Sequence, residues 1–391
     1  MTNLEMVKEV RGSIWDQDDM EPRVRTILDR KIVLRETGPY TVKSDEEISA
    51  IIRGVYACRG YNDVSVTDIR RMAGGASKEQ FAFTLHHQTN KDGKRFVLRM
   101  DPLESIAQTC RGREAQVLKA IRGTLPVPEV EFCDPDGDIS GQPLVITSFV
   151  DGVTKPTDID ARGVSGIGLR YDSWAPKLAP QFIDTLCKIH HFDWKQADLS
   201  YFNAPEPGTK QAALHQINWW SLVWRQDMVE PVPVITFTER WLRENAPVCD
   251  SPVLVHADFR IGNFMFEEPS GKFTAVLDWE LSHIGDFHED IAWATQRLFG
   301  TWRDDGEFLV CGLLPRKEFI EQYEASSGNK IDRNKLHYYE VLNAYKCAVM
   351  GLGVSMRVAK HGNNHQDLLL TWIGSAGAVF LNQMVKLIRE Q

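Results

Sequence analysis

His256, Asp258, Arg260 and Asn263 crowd into one short stretch, HADFRIGN, between the apolar runs PVLV and FMF. Polar side chains that dense between two strand-like segments mark either a surface turn or the floor of a cleft. Asp278 closes AVLD further on, and GNFMFEEPSGKFTAVLD reads as two antiparallel strands joined by a turn. That hairpin would return Asp278 to the side of Asn263. An amide oxygen and a carboxylate on adjacent strand ends are hard ligands of the kind Mg²⁺ takes when phosphates fill its other positions. Asp258 would then be a free carboxylate within reach of a substrate hydroxyl, with Arg260 a fixed cation beside it. A metal, a base and a cation together fit phosphoryl transfer.

The elements around them predict an α+β chain of two lobes. At 391 residues the chain exceeds one ordinary core, and 43% hydrophobic with 25% charged residues suits a globular protein. Residues 1–44 read as an accessory N-terminal segment with a helix around EPRVRTILDRKIVL. Residues 45–150 form a small nucleotide-binding N-lobe. It opens on a helix capped by Ser44 and Glu47, continues through the antiparallel strands VSVTDIRRM, EQFAFTLHH and KRFVLRM, and adds a helix over 103–122 and the strand PLVITSFV. Residues 151–391 form a larger, mainly helical C-lobe, catalytic and substrate-binding, with HADFRIGN and its hairpin inserted among the helices.

The net charge of −9 argues against nucleic acid as a partner. Seven cysteines, spaced singly and odd in number, suit reduced thiols and a cytoplasmic location. The N-terminus shows no signal-peptide pattern. The most apolar run, LLLTWIGSAGAVFL, falls short of the roughly 20 residues a membrane span needs, so it reads as a buried helix with no membrane role. Oligomeric state stays open.

H-x-D-x-x-x-x-N followed by an Asp on the next hairpin resembles the catalytic and metal-binding loops of protein kinases. HADFRIGN, LDWE and GDFHEDIAW together resemble the aminoglycoside phosphotransferase family. They are most similar to its bacterial branch related to the kinase-like part of acyl-CoA dehydrogenase fusion proteins. The resemblance covers roughly residues 45–380 and implies a protein-kinase-like fold using ATP and Mg²⁺. It makes Asp258 the base, Arg260 the cation on the γ-phosphoryl, and Asn263 and Asp278 the metal ligands. It also implies that the glycine turn MAGGAS, with Gly74, Gly75 and Ser77, covers the nucleotide phosphates, and that Arg99 of FVLRM replaces the strand lysine. Glu114 falls on the apolar face of the following helix, where an unpaired carboxylate would be costly, so Arg99 is its expected partner. Thr147 to Phe149 of TSFVDG resemble the inter-lobe linker that reads an adenine edge. In this family the acid matching Asp290 braces the catalytic loop.

Other residues take plainer readings. His256 holds the loop. His190 and His191 end a helix as dipole partners, and Trp219 with Trp220 is core. His283, Asp286 and His288 lack a further ligand to close a zinc site. Glu280 is open between a second metal ligand and a substrate-facing group. The segment 337–365, which would line an acceptor pocket, carries one acid, Glu340. That disfavours polycationic aminoglycosides and leaves a neutral or anionic small-molecule hydroxyl, with a hydroxyacyl-CoA one possibility that the resemblance suggests. ATP and GTP are not distinguished. The alternative is a catalytically silent nucleotide-binding scaffold, favoured by the arginine on the strand and the sparse glycine turn.

Overall fold

The computed structural model describes residues 19–72, 77–87, 90–159 and 166–390. Helix α1 (Pro22–Leu34) starts on a proline, which has no N–H to lose at that position. Its Val24 and Leu28 sink into the larger of two cores, so this helix of the accessory segment is packed into the body of the molecule. Helix α2 (Asp45–Cys58) carries the expected capping box between Ser44 and Glu47.

β1 (Ser65–Arg71), β2 (Glu79–His87) and β3 (Asn90–Met100) form the expected meander, all antiparallel. Period-two alternation turns Phe81, Phe83, Leu85, Phe96, Leu98 and Met100 into the small core beside Ile48, Ile52 and Val55 of α2. The opposite face carries Gln80, Ala82 and Thr84 in register with Arg99, Val97 and Arg95. Helix α3 (Arg111–Ile121) starts well after the expected 103. Residues 101–110 spend their hydrogen bonds elsewhere: the Asp101 amide donates to Pro143 O at 2.9 Å, and the Glu104 amide to Asn363 O at 3.2 Å. Val117, Leu118 and Ile121 of α3 belong to the larger core, so this helix bridges the lobes. β4 (Val130–Asp134) and β5 (Leu144–Ser148) complete a five-stranded sheet in the order β1-β2-β3-β5-β4.

The larger lobe runs through α4 (Ala175–His190), α5 (Gln211–Asp227) and α6 (Pro233–Glu244) to β6 (Val253–Val255), then β7 (Phe264–Phe266), β8 (Phe273–Val276) and β9 (His283–Gly285). β7 and β8 are the predicted hairpin, with Phe264 opposite Val276. β9 pairs with β6, so the stretch between LDWE and the next helix is itself a strand. Helix α7 (His288–Ala294) is shorter than the pattern FHEDIAWATQRLF suggests. The small sheet β10 (Thr301–Trp302), β11 (Phe308–Val310) and β12 (Leu314–Pro315) has no counterpart in the sequence reading. Helices α8 (Arg316–Ser327), α9 (Arg333–Ala348), a π-helical stretch (Val349–Ser355), α10 (Met356–His361) and α11 (Asp367–Arg389) follow. Trp219 and Trp220 stack in the core, 5.5 Å between ring centroids.

α11 corrects one expectation. It runs 23 residues and only part of it is buried. Leu370, Phe380 and Met384 pack inward while Leu368 is 86% and Trp372 55% exposed. Among the described residues it is one helix long and apolar enough to cross a membrane by length and composition.

α7 is tied into the lobe through Glu289, whose carboxylate meets His283 at 3.2 Å and the buried Lys346 ammonium. Burial works to raise the Glu289 carboxyl, but Lys346 and His283 hold it down at about 2, against an ordinary 4.5. A carboxyl lowered by folding stabilises the folded state fully above its unfolded value and loses that contribution as pH falls through its folded value. Glu289→Gln should therefore lower Tm at pH 7, by leaving Lys346 unpaired. It should also flatten the fall of Tm between about pH 4.5 and 2, as read by calorimetry across that window.

Candidate active site

HADFRIGN links β6 to β7, and its geometry is set from below by one carboxylate. Asp290 of α7 accepts the backbone N–H of His256 and of Ala257, each at 2.8 Å, and lies 3.3 Å from His190 Nε2. Those bonds pin Ala257 in the left-handed region at φ 65°, a conformation a non-glycine residue keeps only when its surroundings enforce it. His190 therefore braces the brace, through Asp290 and the Tyr323 hydroxyl at 2.7 Å, beyond the dipole role its helix-end position suggests. His256 Nδ1 accepts the Asp258 amide at 3.2 Å while Nε2 meets Leu277 O at 3.0 Å, tying the HADFRIGN loop to the hairpin.

Asp258 is thereby presented with both carboxylate oxygens engaged. Oδ1 accepts Trp293 Nε1 at 2.8 Å and Arg260 Nε at 3.1 Å; Oδ2 accepts Asn263 Nδ2 at 2.7 Å. Burial pushes the Asp258 carboxyl above its ordinary value; Asp278 adds to this, and Arg260 and the Asn263 hydrogen bond oppose it. A carboxylate restrained in direction and raised in basicity is what a proton acceptor needs. Arg260 also lies 5.6 Å over the Phe299 ring, which holds the guanidinium beside Asp258. Sequence reasoning missed Trp293, although GDFHEDIAW contains it: nothing in a helical pattern tells which ring nitrogen will reach a loop 35 residues away.

The hairpin brings Asn263 and Asp278 together. Leu277 N donates to Asn263 O at 2.8 Å, placing the next residue, Asp278, beside the strand end that carries Asn263. Asp278 stands in the left-handed region at φ 65°, and Arg99 donates to its Oδ1 at 2.9 Å. Asn263 spends its amide nitrogen on Asp258 O, at 2.8 Å, and Asp258 Oδ2, which leaves its oxygen as the acceptor. Amide oxygen and carboxylate fit Mg²⁺ by donor chemistry.

On the sheet, Arg99 bonds Glu114 of α3, the expected pairing, and so links β3 and α3 to Asp278 in the other lobe. Its Nε is buried without a hydrogen-bond partner among the described residues. Gly74 and Gly75 lie outside the described residues. Ser77, just beyond them, accepts at its carbonyl from Ser105 Oγ at 2.7 Å and adjoins Glu280. A cavity of about 370 Å³ opens on the face that bears Ala82, Thr84 and Arg95, the same face as Arg99. In the linker, Thr147 is 5% exposed within β5. The Phe149 amide donates to Arg95 O at 3.2 Å and the Ser148 amide to Glu129 O at 2.8 Å, so these donors serve the sheet. The Phe149 ring lies 3.6 Å beneath the Arg95 guanidinium.

Glu280 sits among cations through one carboxylate oxygen, Oε2. Its carboxylate accepts Arg111 at 2.7 Å and Thr109 at 3.0 Å, with Lys78 at 3.4 Å. Burial would raise this carboxyl, yet Lys78, Arg111 and Arg99 hold it well below the usual range. Arg111 also bonds Glu114 and meets Asp101 at 3.1 Å. The network joins Lys78 beside β2, α3 and the LDWE turn. His288 pairs with Asp286 and accepts the Asp332 amide at 3.0 Å, so HIGDFH works as lobe scaffolding.

A five-stranded lobe bearing a cation–carboxylate pair, over a helical lobe bearing a half-buried Asp, an Asn and a second Asp on one loop and hairpin, has the architecture of a kinase-like phosphotransferase. The phosphotransferase enzyme family (APH) model matches residues 68–336, and the chain belongs to that family. Among curated proteins it is similar to acyl-CoA dehydrogenase family member 11 of Gallus gallus, 26% identical over 333 residues, which span 81% of this chain and 40% of that one. It is also similar to family member 10 of Mus musculus, 28% identical over 207 residues, 51% of this chain and 18% of that one. The chain thus spans two-fifths or less of these relatives' length. Among solved structures, a Ralstonia eutropha protein assigned as an aminoglycoside phosphotransferase aligns at a TM-score of 0.58 with 20% identity, over 89% of this chain and 98% of that one. Macrolide 2′-phosphotransferase type I aligns at 0.55 with 19% identity, over 87% and 98%. Aminoglycoside phosphotransferase APH(4)-Ia, in complex with AMP-PNP and hygromycin B, aligns at 0.51 with 16% identity, over 86% and 98%. These likenesses show the shared fold.

Proposed function

We propose that the chain transfers the γ-phosphoryl group of Mg²⁺·ATP to a hydroxyl of a small molecule. The observation that carries this reading is the convergence on one point of Asp258, held by Trp293, Arg260 and Asn263, with Asp278 bonded to the strand cation Arg99. The acceptor oxygen attacks the γ-phosphorus, the bond from that phosphorus to the ADP oxygen breaks, and the hydroxyl proton passes to Asp258. Arg260 faces the negative charge of the transferred group. Asn263 and Asp278 would hold Mg²⁺, which when bound neutralises phosphate charge. Arg99, kept in place by Glu114, faces the nucleotide phosphates, and the cavity beside Ala82 and Thr84 suits the nucleoside portion. Solved relatives of the fold bind AMP-PNP in one case and GDP in another, so ATP and GTP belong together in the test. The free thiols of the cysteines favour a reducing, cytoplasmic setting.

For the acceptor, the one acid of segment 337–365, Glu340, is already paired with Arg316. A polycation would find no free carboxylate there, which favours a neutral or anionic alcohol. The names of the relatives in the acyl-CoA dehydrogenase family support a hydroxyacyl thioester as the first candidate. The test is ADP formation from ATP or GTP with Mg²⁺, over hydroxyacyl thioesters, sugars and amino alcohols, corrected for hydrolysis by water. One acceptor class should raise ADP release well above that background, with a phosphorylated product by mass. A second reading, a silent nucleotide-binding scaffold, is favoured by the Arg99–Asp278 bond, which occupies one oxygen of a metal ligand. Nucleotide binding with no acceptor-stimulated turnover across that panel would select it.

A further inference from the structure

The accessory segment reaches the nucleotide end of the site through buried ion pairs. Arg35, just past α1, donates to Glu104 Oε1 at 3.1 Å and to Asp227 Oδ1 of α5 at 2.6 Å, and both carboxylate side chains are 1% exposed. Glu104 lies within residues 101–110, the connection whose two ends carry Arg99 and Glu114. Asn363 Nδ2 donates to the other oxygen of Glu104 at 2.8 Å, and Asn364 Nδ2 to its carbonyl at 2.7 Å. At the other end of α1, Glu21 accepts Arg113 of α3 at 3.2 Å and the Asn203 amide at 3.0 Å. Arg113 also donates to Ser282 O at 3.1 Å, four residues past Asp278, and lies 4.3 Å over the Phe202 ring. Residues 21 and 35 thus hold α3 and the connection leading into it from two directions, and each contact also engages the larger lobe.

We propose that Glu21 and Arg35 are positioning residues: they clamp α3 so that Glu114 keeps Arg99 set for the nucleotide phosphates. This rests on the nucleotide reading of Arg99 given above. The helix that bears the carboxylate partner is locked by an N-terminal strap, and loosening the strap lets α3 drift and the Arg99–Glu114 pair open. The physical reason is that these charges are buried, where geometry is enforced by the cost of leaving any one unpaired. Arg35→Gln is a usable probe because Asp227 keeps Lys31, and Glu104 keeps Asn363 and the Arg357 guanidinium 3.8 Å away. The lobes stay charge-compensated and what is lost is the link between them.

Two measurements on the full chain decide it. Calorimetric titration with Mg²⁺·AMP-PNP should give a Kd about tenfold weaker for Arg35→Gln and for Glu21→Gln, a coupling of ordinary size, with partial recovery in Arg35→Lys. A core truncation of comparable Tm loss away from the clamp, Leu242→Ala in α6, should keep the wild-type Kd. Hydrogen–deuterium exchange without nucleotide should show faster exchange in residues 111–121 for both clamp variants and not for Leu242→Ala. Wild-type Kd and wild-type exchange in folded Arg35→Gln and Glu21→Gln would overturn the clamp. If one clamp variant fails to fold, the other carries the comparison. A wild-type protein that binds no Mg²⁺·AMP-PNP would overturn the nucleotide reading instead, while the exchange rates still judge whether the strap holds α3.

Discussion

Asp258→Asn should lower turnover on the true acceptor by roughly 10²- to 10⁴-fold, the span of a lost general base, with nucleotide affinity little changed. The substitution removes the proton acceptor and keeps the shape, since an amide oxygen can still accept from Trp293 and Arg260, the donors now on Oδ1. The pH profile gives an independent check. Asp258 works as a base only when ionised, and burial raises its carboxyl above the ordinary value. Wild-type kcat should therefore fall on the acid side with a midpoint above the ~3.9 of an unperturbed Asp. That limb should vanish from the residual activity of Asp258→Asn. Steady-state kinetics between pH 4 and 8, with ADP release as the readout, measures both. A variant with wild-type kcat would remove Asp258 from the chemistry.

Asp278→Ala should abolish Mg²⁺-dependent nucleotide binding. In wild type, titration with AMP-PNP should show tighter binding with Mg²⁺ than with EDTA; in the variant the two curves should coincide. Alanine at φ 65° adds backbone strain of its own, so Asp278→Asn is the sharper companion. Asparagine tolerates the left-handed region and retains volume while removing the charge. If Asp278→Asn also loses the Mg²⁺ dependence, the carboxylate is responsible; if it keeps it, the alanine effect is conformational.

The grouping of Asp258, Asn263 and Asp278 was legible because each part rests on local rules. The hairpin follows from alternating apolar residues around a turn, and the turn alone returns Asp278 to Asn263. Glu114 was legible because a carboxylate on an apolar helix face needs a cation, and Arg99 was the one offered by the adjoining strand. The start of α3 was not. Residues 103–110 have an acceptable helical pattern, but polar groups of Glu104 and Ser105 are claimed by Asn363 and Ser77, both distant in the chain. The same limit hid the setting of Glu280, since its cations Lys78 and Arg111 lie far upstream. It also hid the use of the linker amides by the sheet, which depends on strand register. α11 was underestimated because Asn382 ends the apolar run without interrupting the helix, whose inward stripe needs only every third or fourth position.

The central claim is spatial: Asp258, Asn263 and Asp278 face one bound nucleotide. A crystal structure of the full chain soaked with Mg²⁺ and AMP-PNP tests it most directly. The prediction is a metal ligated by the Asn263 amide oxygen and the Asp278 carboxylate, triphosphate oxygens completing its shell, and Asp258 across from the γ-phosphorus. Nucleotide seated elsewhere, or a metal that neither 263 nor 278 touches, would contradict the account.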